Sequence, residues 1–600
     1  MQTKTAPAQK PYAITNGKVI FDYGQLYCAS PEQLAASELF AEIVEKFTDK
    51  LMRKGGPVRD FILEAAPGAN NAMMSAKIVT ALKLLTSHTA REIIAINEDF
   101  RSLLEGRELF QEFVEELYNF WRRHERVICH TAPAKSRSTK SGIHRAQFIA
   151  ANETFKNVAL TAYRTVVGNL AGTNPAVYRQ LPAGANMGAL MEKIEWDCPY
   201  EFSHLKDVPF IMLTLIEPPL VLYTKSNKRK GKILEVGKLT EDMIAFRPSE
   251  WFCFPARIGD LLAFIYFHRD YVTLGLSMSN LFETAGYEHI EGKRPDIIML
   301  FGVKDTSLPA ETVFHEDAES GIFVGIVRHG DDVDYFGYFK KTALTLHNVA
   351  VLKRGRLPLH GAMAHVTLKD GSAANVVLVG DSGAGKSETL EALRSLADEH
   401  IGDMKIIFDD MGSLGMRDGV IVGYGTETGA FVRLDDLSPE YAYEQFDRAI
   451  FMNPSMVNSR LVIPITKHQH LVKGYRVDMV LYANNYERVD EEMPAIEFFG
   501  SAEDALAVFR LGARMAKGTT DEKGIVHTYF ANPFGAPQRK AEHEQVAKGF
   551  FARMFETGVK VGQIRTRLGI EGYEREGPKS ASMELFGAIR NLTVERGSKG

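Results

Sequence analysis

The glycine loop Gly380–Glu388, GDSGAGKSE, constrains this chain more than any other stretch. It follows the apolar run Asn375–Val379 (NVVLV) and precedes Thr389–Leu396 (TLEALRSL), whose leucines at 390, 393 and 396 fit one helix face. Strand, glycine loop and helix in that order are the context that the pattern G-x-x-x-x-G-K-[ST] requires. Gly383 and Gly385 let backbone N–H groups wrap a phosphate, and Lys386 reaches the outer phosphates. Ser387 is placed to hold Mg²⁺, and the helix N-terminus favours the anion. The expectation is a bound phosphate donor.

Composition narrows the rest. Six hundred residues exceed one compact core, so two or three domains are expected. A formal net charge of −5 gives no sign of nucleic-acid or membrane attraction, and neither partner is expected. The one basic cluster, Lys225–Lys232 (KSNKRKGK), reads as a solvated hairpin loop rather than an anion site. Cys28, Cys129, Cys198 and Cys253 are scattered without paired spacing, which argues against a disulfide framework or a cysteine zinc site. The first residues, MQTKTAPAQK, show no apolar core of a signal peptide, and a cytoplasmic location is expected.

Taken in order, residues 1–29 read as a loose arm with one short strand. Ser30-Pro31-Glu32-Gln33 is a helix start, followed by an apolar face of Leu39, Ile43, Phe47 and Leu51. A second amphipathic helix is predicted near Glu108–Arg122, so residues 30–125 read as a helical region suited to packing or oligomerisation. Short apolar runs at Phe210–Ile216, Leu261–Phe267, Ile297–Val303 and Ile322–Val327 mark residues 126–320 as an α/β domain. The loop Ala132–Arg145 carries Arg137, Lys140 and Arg145, which suit either solvent or an anionic substrate. Residues 321–600 form the nucleotide- and metal-binding domain in this reading.

That last region holds the informative constellations. Tyr335–Thr342 reads YFGYFKKT, and Leu357–His365 reads LPLHGAMAH, with His365 fifteen residues before the glycine loop. Lys405–Phe408 is a short strand ending in Asp409-Asp410, 24 residues past Lys386. An acidic pair at a strand end suits a magnesium site, one carboxylate on the metal and the other orienting a nucleophile or taking its proton. Asp418-Gly419 predicts a hairpin turn. Asn458–Pro464 (NSRLVIP) puts Arg460 at the head of an apolar strand, and His468-Gln469-His470 reads as a polar surface patch.

In this order the segments YFGYFKKT, LPLHGAMAH, GDSGAGKSE, Asp409-Asp410 and NSRLVIP resemble ATP-type phosphoenolpyruvate carboxykinase, over roughly Tyr335 to Ile589. The glycine loop alone is closer to HPr kinase, a protein-serine kinase with a related nucleotide-binding core. The carboxykinase resemblance implies an α/β fold with a two-lobed core and a P-loop nucleotide domain, here carrying an added helical N-terminal region. It implies Lys341, His365 and Asp410 as Mn²⁺ ligands, and Ser387 with Asp410 serving Mg²⁺ on ATP. Ser382, Gly383, Ala384, Gly385 and Lys386 would hold the phosphates. Arg460 would neutralise the transferring phosphoryl group, and Tyr335 and Arg137 would contact the small substrate, oxaloacetate or phosphoenolpyruvate.

The chain departs from that pattern at three places. Tyr338 stands where the family has Glu, Arg433 (in GAFVRL) stands for its active-site lysine, and GPKSASMELFGAI lacks its adenine-side arginine. Three readings follow. The first is a carboxykinase, the second a kinase acting on a hydroxyl with Asp409 as base, and the third a nucleotide-binding protein without turnover.

Overall fold

The computed structural model describes residues 10–22, 27–132, 140–172, 183–229, 231–239, 246–304, 307–395, 401–437, 439–490, 492–516 and 523–597. The protein is α/β and separates into two compact units: Met1–Ile194 with Pro209–Leu220, and Glu195–Val208 with Val221–Gly600.

In the first unit, β1 (Tyr12–Thr15) and β2 (Lys18–Asp22) form an antiparallel hairpin. Asn16 and Gly17 turn it, with φ +46° and +76°, the left-handed pair that a tight hairpin needs. Within the segment read as a loose arm with one short strand, residues 12–22 are therefore two strands at a sheet edge. Strand β2 pairs in parallel with β3 (Glu125–Ala132), which pairs with β4 (Met187–Glu192), and β5 (Phe210–Ile216) runs antiparallel to β4. Residues 30–125 thus form a crossover between two neighbouring strands, and the boundary expected at residue 125 falls inside one unit.

The crossover carries α1 (Glu38–Lys54), α2 (Asn71–Leu85) and α3 (Arg107–Arg122). The helix expected to start at Ser30 stops after Ala35, and a new one begins where Ser37 Oγ accepts from Phe40 N at 3.2 Å. Leu39, Ile43 and Phe47 of α1, Ile78 and Leu82 of α2, and Phe110 and Phe113 of α3 share one core with Phe155 and Leu170 of α4 (Lys140–Ala171).

In the second unit, β6 (Trp251–Ile258) and β7 (Leu261–His268) form a hairpin. Strands β7, β8 (Ile297–Val303) and β10 (Phe323–Arg328) are parallel neighbours, with β9 (Thr312–Glu316) antiparallel at the side of β10. All seven residues of β8 are buried, as expected of a parallel strand covered on both faces. Next comes α5 (Phe336–Lys353), buried on nearly every side and packed on β8 and β10.

A second sheet of this unit follows. It contains β11 (Leu357–Leu368), β12 (Ala373–Val379), β13 (Ile401–Arg417), β14 (Val420–Gly425), β17 (Met479–Asn484) and β18 (Lys560–Arg565). Their order is β14–β13–β11–β12–β17–β18. The helix α6 (Lys386–Ser395) leaves the end of β12 and buries Leu390 and Leu393 in the core on one face of this sheet. The expected turn at Asp418-Gly419 joins β13 to β14. Between β14 and β17 come β15 (Gly429–Arg433) and β16 (Arg460–Pro464), an antiparallel pair in a separate small sheet. Among the described residues no helix is long and apolar enough to cross a membrane.

Candidate functional site

The glycine loop sits between β12 and α6, as its flanks predict. Gly383 and Gly385 take φ of +80° and +93°, a backbone region that side chains disfavour. A Cβ on Gly385 would lie 2.5 Å from Thr566 Oγ1, so that glycine is required twice over. Lys386 Nζ donates to the loop's own carbonyls, Gly380 O at 2.7 Å and Asp381 O at 3.1 Å. Asn485 Nδ2 donates to Gly383 O, and Thr566 Oγ1 donates to Ala384 O, fixing the crest of the loop. Ser382 is exposed there.

The acidic pair lies on β13, paired with Ala362 and Gly361 of β11. A regular strand sends neighbouring side chains to opposite faces. Asp410 has φ +103°, which breaks that alternation. Both carboxylates consequently have partners around the loop. Ser387 Oγ donates to Asp409 Oδ1 at 3.1 Å, so Ser387 pairs with Asp409 and not with Asp410 as the resemblance implied. Asp410 Oδ2 takes both Lys340 and Lys341 at 2.7 Å, and its Oδ1 lies 2.9 Å from His360 Nε2.

Expected ligand His365 is elsewhere. It lies five positions beyond His360, an odd offset, so the two point to opposite faces of β11, about 17 Å apart along the strand. His365 Nδ1 contacts Asn375 Oδ1 at 2.8 Å and pairs in register with Lys405. His360 takes its place beside Asp410. The sequence reading passed over His360, Lys340, Glu427, Asp381 and Arg229. All five meet only through tertiary contacts, and His360 reaches Asp410 because the positive φ of Asp410 breaks the strand alternation.

Electrostatics divide the group. Lys340 is 2% exposed and bridges Asp410 to Glu427 at 2.8 Å. Burial would lower its pKa, but the two carboxylates raise it above the ordinary lysine value. Lys341 is lowered, first by burial and then by Lys340 beside it, against the pull of Asp410. Burial would raise Asp410, yet Lys340, Lys341 and His360 hold its carboxyl well below the usual range. Asp409 is raised by burial and by Asp410, with Lys386 and Ser387 opposing. Burial also pushes Glu427 up to about 7. In the glycine loop Asp381 is held low because His360, Arg514 and a backbone amide outweigh its burial.

Cationic and aromatic groups frame this centre. Lys341 Nζ lies 4.5 Å from the Phe534 ring centroid, and Arg229 stacks on the same ring at 5.2 Å. The basic cluster read as a solvated loop therefore lends one arginine to the site. Tyr335 caps α5, where burial raises its pKa against Arg460 and Asn458, and it lies within electrostatic reach of Lys340. Arg460 sits over Phe431 at 5.4 Å, and its buried Nε has no hydrogen-bond partner. Arg433 is its register partner across β15 and β16 and pairs with Asp435 at 3.2 Å. Two guanidiniums facing across a strand pair repel unless an anion or carboxylate intervenes. Arg137 lies outside the described residues. His468, read as a surface residue, is buried with Nε2 on Gly259 O at 2.7 Å.

These donors fit the groups that the resemblance implies. His360 Nδ1 lies 2.8 Å from Ala531 O, so that nitrogen carries the proton and Nε2 is left as the ligand atom. A bare nitrogen and a carboxylate oxygen 2.9 Å apart need a proton or a cation between them. Lys341 Nζ at Oδ2 and His360 Nε2 at Oδ1 put two nitrogens on one carboxylate, and Lys341 would have to lose its proton to serve as a ligand. Compared with known proteins, the chain matches no family model and no curated protein.

Proposed function

We propose that the chain transfers a phosphoryl group from a nucleotide, in a carboxykinase-type reaction that converts oxaloacetate and ATP to phosphoenolpyruvate, ADP and carbon dioxide. The observation carrying this reading is the Lys341–Asp410–His360 group, His360 buried and the other two half-buried, tied to the glycine loop. The tie is His360 Nδ1, 3.5 Å from Asp381 Oδ1. Lys386 would exchange its two loop carbonyls for phosphate oxygens. Lys340 holds Asp410 ionised and so preserves an anionic pole next to Lys341, whose pKa burial lowers. Arg460 and Arg229 would neutralise the anionic substrate, and Tyr335 would orient it. Lys341, Asp410 and His360 would hold Mn²⁺, and Ser387 with Asp409 Mg²⁺, supplying charge stabilisation for the enolate and the transferring group.

The test is Mn²⁺-stimulated formation of phosphoenolpyruvate from oxaloacetate with ATP, GTP or pyrophosphate as donor. Activity that disappears in Lys386→Ala supports the reading, and no turnover with any donor overturns it. One observation favours a second reading, a kinase acting on a hydroxyl. Asp409, the expected base, sits at Ser387 of the glycine loop with its pKa raised by burial and by Asp410, which suits proton abstraction. Phosphate incorporation into a hydroxyl acceptor without oxaloacetate would select it. Nucleotide binding with neither turnover would leave a binding protein.

A further inference from the structure

A separate cluster of metal-ligating side chains lies at the C-terminal ends of the parallel strands β7, β8 and β10. His268 ends β7, Asp270 is in the turn Arg269–Tyr271 that follows, and His329 comes directly after β10. Among the described residues these three form a group whose ligand atoms all lie within 4.8 Å of one another. Asp270 Oδ2 is 3.3 Å from His268 Nδ1 and 2.9 Å from His329 Nε2. Bonds of about 2.0–2.2 Å at tetrahedral angles place donor atoms roughly 3.4 Å apart, so the spacing suits one small ion. Crevices outside the carboxyl ends of parallel strands are where α/β sheets bind ligands.

The ring of His268 is oriented for this. It is 2% exposed, Nδ1 is the nitrogen turned toward Asp270, and Nε2 lies 3.6 Å from Glu250 Oε2 on the opposite side. A carboxylate behind an imidazole favours the tautomer whose other nitrogen is free to be a ligand.

We propose that His268, Asp270 and His329 form a binding site for a divalent transition metal of the zinc class, independent of the Asp410 centre. Two imidazoles and one carboxylate favour Zn²⁺ or Co²⁺ over Mg²⁺ or Ca²⁺, which prefer all-oxygen shells. Two groups compete with the ion. The Asp270 N–H donates to His268 Nδ1 at 3.2 Å, and Lys304, directly after β8, places Nζ 3.0 Å from Asp270 Oδ2. Lys304 is 43% exposed along its side chain, so it can swing into solvent when the ion enters. Glu250 lies on the far side of His268 and adds negative charge behind the ring.

The test uses full-length protein carrying Asp410→Asn, which disables the other candidate metal centre, titrated with Co²⁺ and Zn²⁺ by visible absorption and calorimetry. The expected result is one bound equivalent with a Co²⁺–imidazole absorption band. His329→Ala should weaken binding at least tenfold, and Lys304→Met, which removes the competing ammonium, should tighten it several-fold. Should the alanine variant fail to fold, His329→Gln replaces it, since glutamine retains a hydrogen bond to Asp270. Should the Asp410→Asn background fail to fold, the difference between wild type and the His329 variant is measured instead. Loss in the His329 variant together with tightening in Lys304→Met supports the site. Binding that is absent, or indifferent to either substitution, overturns it.

Discussion

Lys340 and Lys341 share one oxygen of Asp410 at 2.7 Å each, and their surroundings divide their roles. Lys340 is a buried counter-charge for Asp410 and Glu427, whereas Lys341 is the one whose proton is loosened. Lys340→Met should therefore strand the buried Glu427 carboxylate, while Asp410 keeps Lys341 and His360, and lower stability by about 3–5 kcal/mol, measured by urea denaturation at pH 8. A loss below about 1 kcal/mol would show that solvent already screens the pair. The two histidines of β11 separate in the same way. His360→Gln should abolish turnover and Mn²⁺ dependence, while His365→Gln should leave both within a few-fold of wild type. Equal loss in both would contradict the placement of His360. The site was legible in part: the glycine loop and the Asp409-Asp410 pair were readable from motif spacing, and Lys341 and Arg460 were singled out only through the carboxykinase resemblance. His360 was missed because it meets Asp410 through that residue's positive φ, which counting residues back from the glycine loop does not reveal.

The glycine loop and its flanking strand and helix form an element whose sequence dictates its shape. Gly385→Ala should cost about 1–3 kcal/mol from its positive φ, with the contact to Thr566 adding more, and should abolish nucleotide binding. Adding Thr566→Ala removes Oγ1 but keeps Cβ 2.7 Å from the new methyl and gives up the bond to Ala384 O, so no recovery of thermal stability is expected. Full recovery would show that φ at this position is not the constraint. Gly549, inside the helix Lys540–Glu556, has nothing within 4 Å of an added Cβ and serves as the control. Gly549→Ala should stabilise by roughly 0.5–1 kcal/mol. Element reading failed at the first hairpin, where Asn16-Gly17 announced a tight turn. The short strands around it gave too little alternation to stand out from a polar arm.

Across the molecule, buried histidines set the acid limit. His543 is fully buried beside Tyr529 and Phe530, and burial pushes its pKa down from 6.5 to about 4, against a backbone hydrogen bond at Pro358. The unfolded chain takes up this proton below about pH 6.5 and the folded chain does not. Stability from this residue is thus complete above pH 6.5 and falls by about 1.4 kcal/mol per pH unit as pH drops toward 4. His347, lowered to about 4 by its own burial, acts in the same direction. His543→Phe should remove its share of the slope between pH 6.5 and 4.5, followed by denaturation midpoints across that window. An unchanged slope would mean that the ring titrates normally. By itself the sequence determined the α/β class, the glycine loop in its strand–helix setting, the buried strands of the second unit and the helical block near the N-terminus. These depend on local periodicity and turn chemistry, which a chain displays before it folds. Only the tertiary structure decided that residues 30–125 are a crossover within one sheet, that Arg229 joins Lys341 over Phe534, and that His360 rather than His365 meets Asp410. Those outcomes depend on strand register and on the burial of charge, and neither exists until distant segments pack.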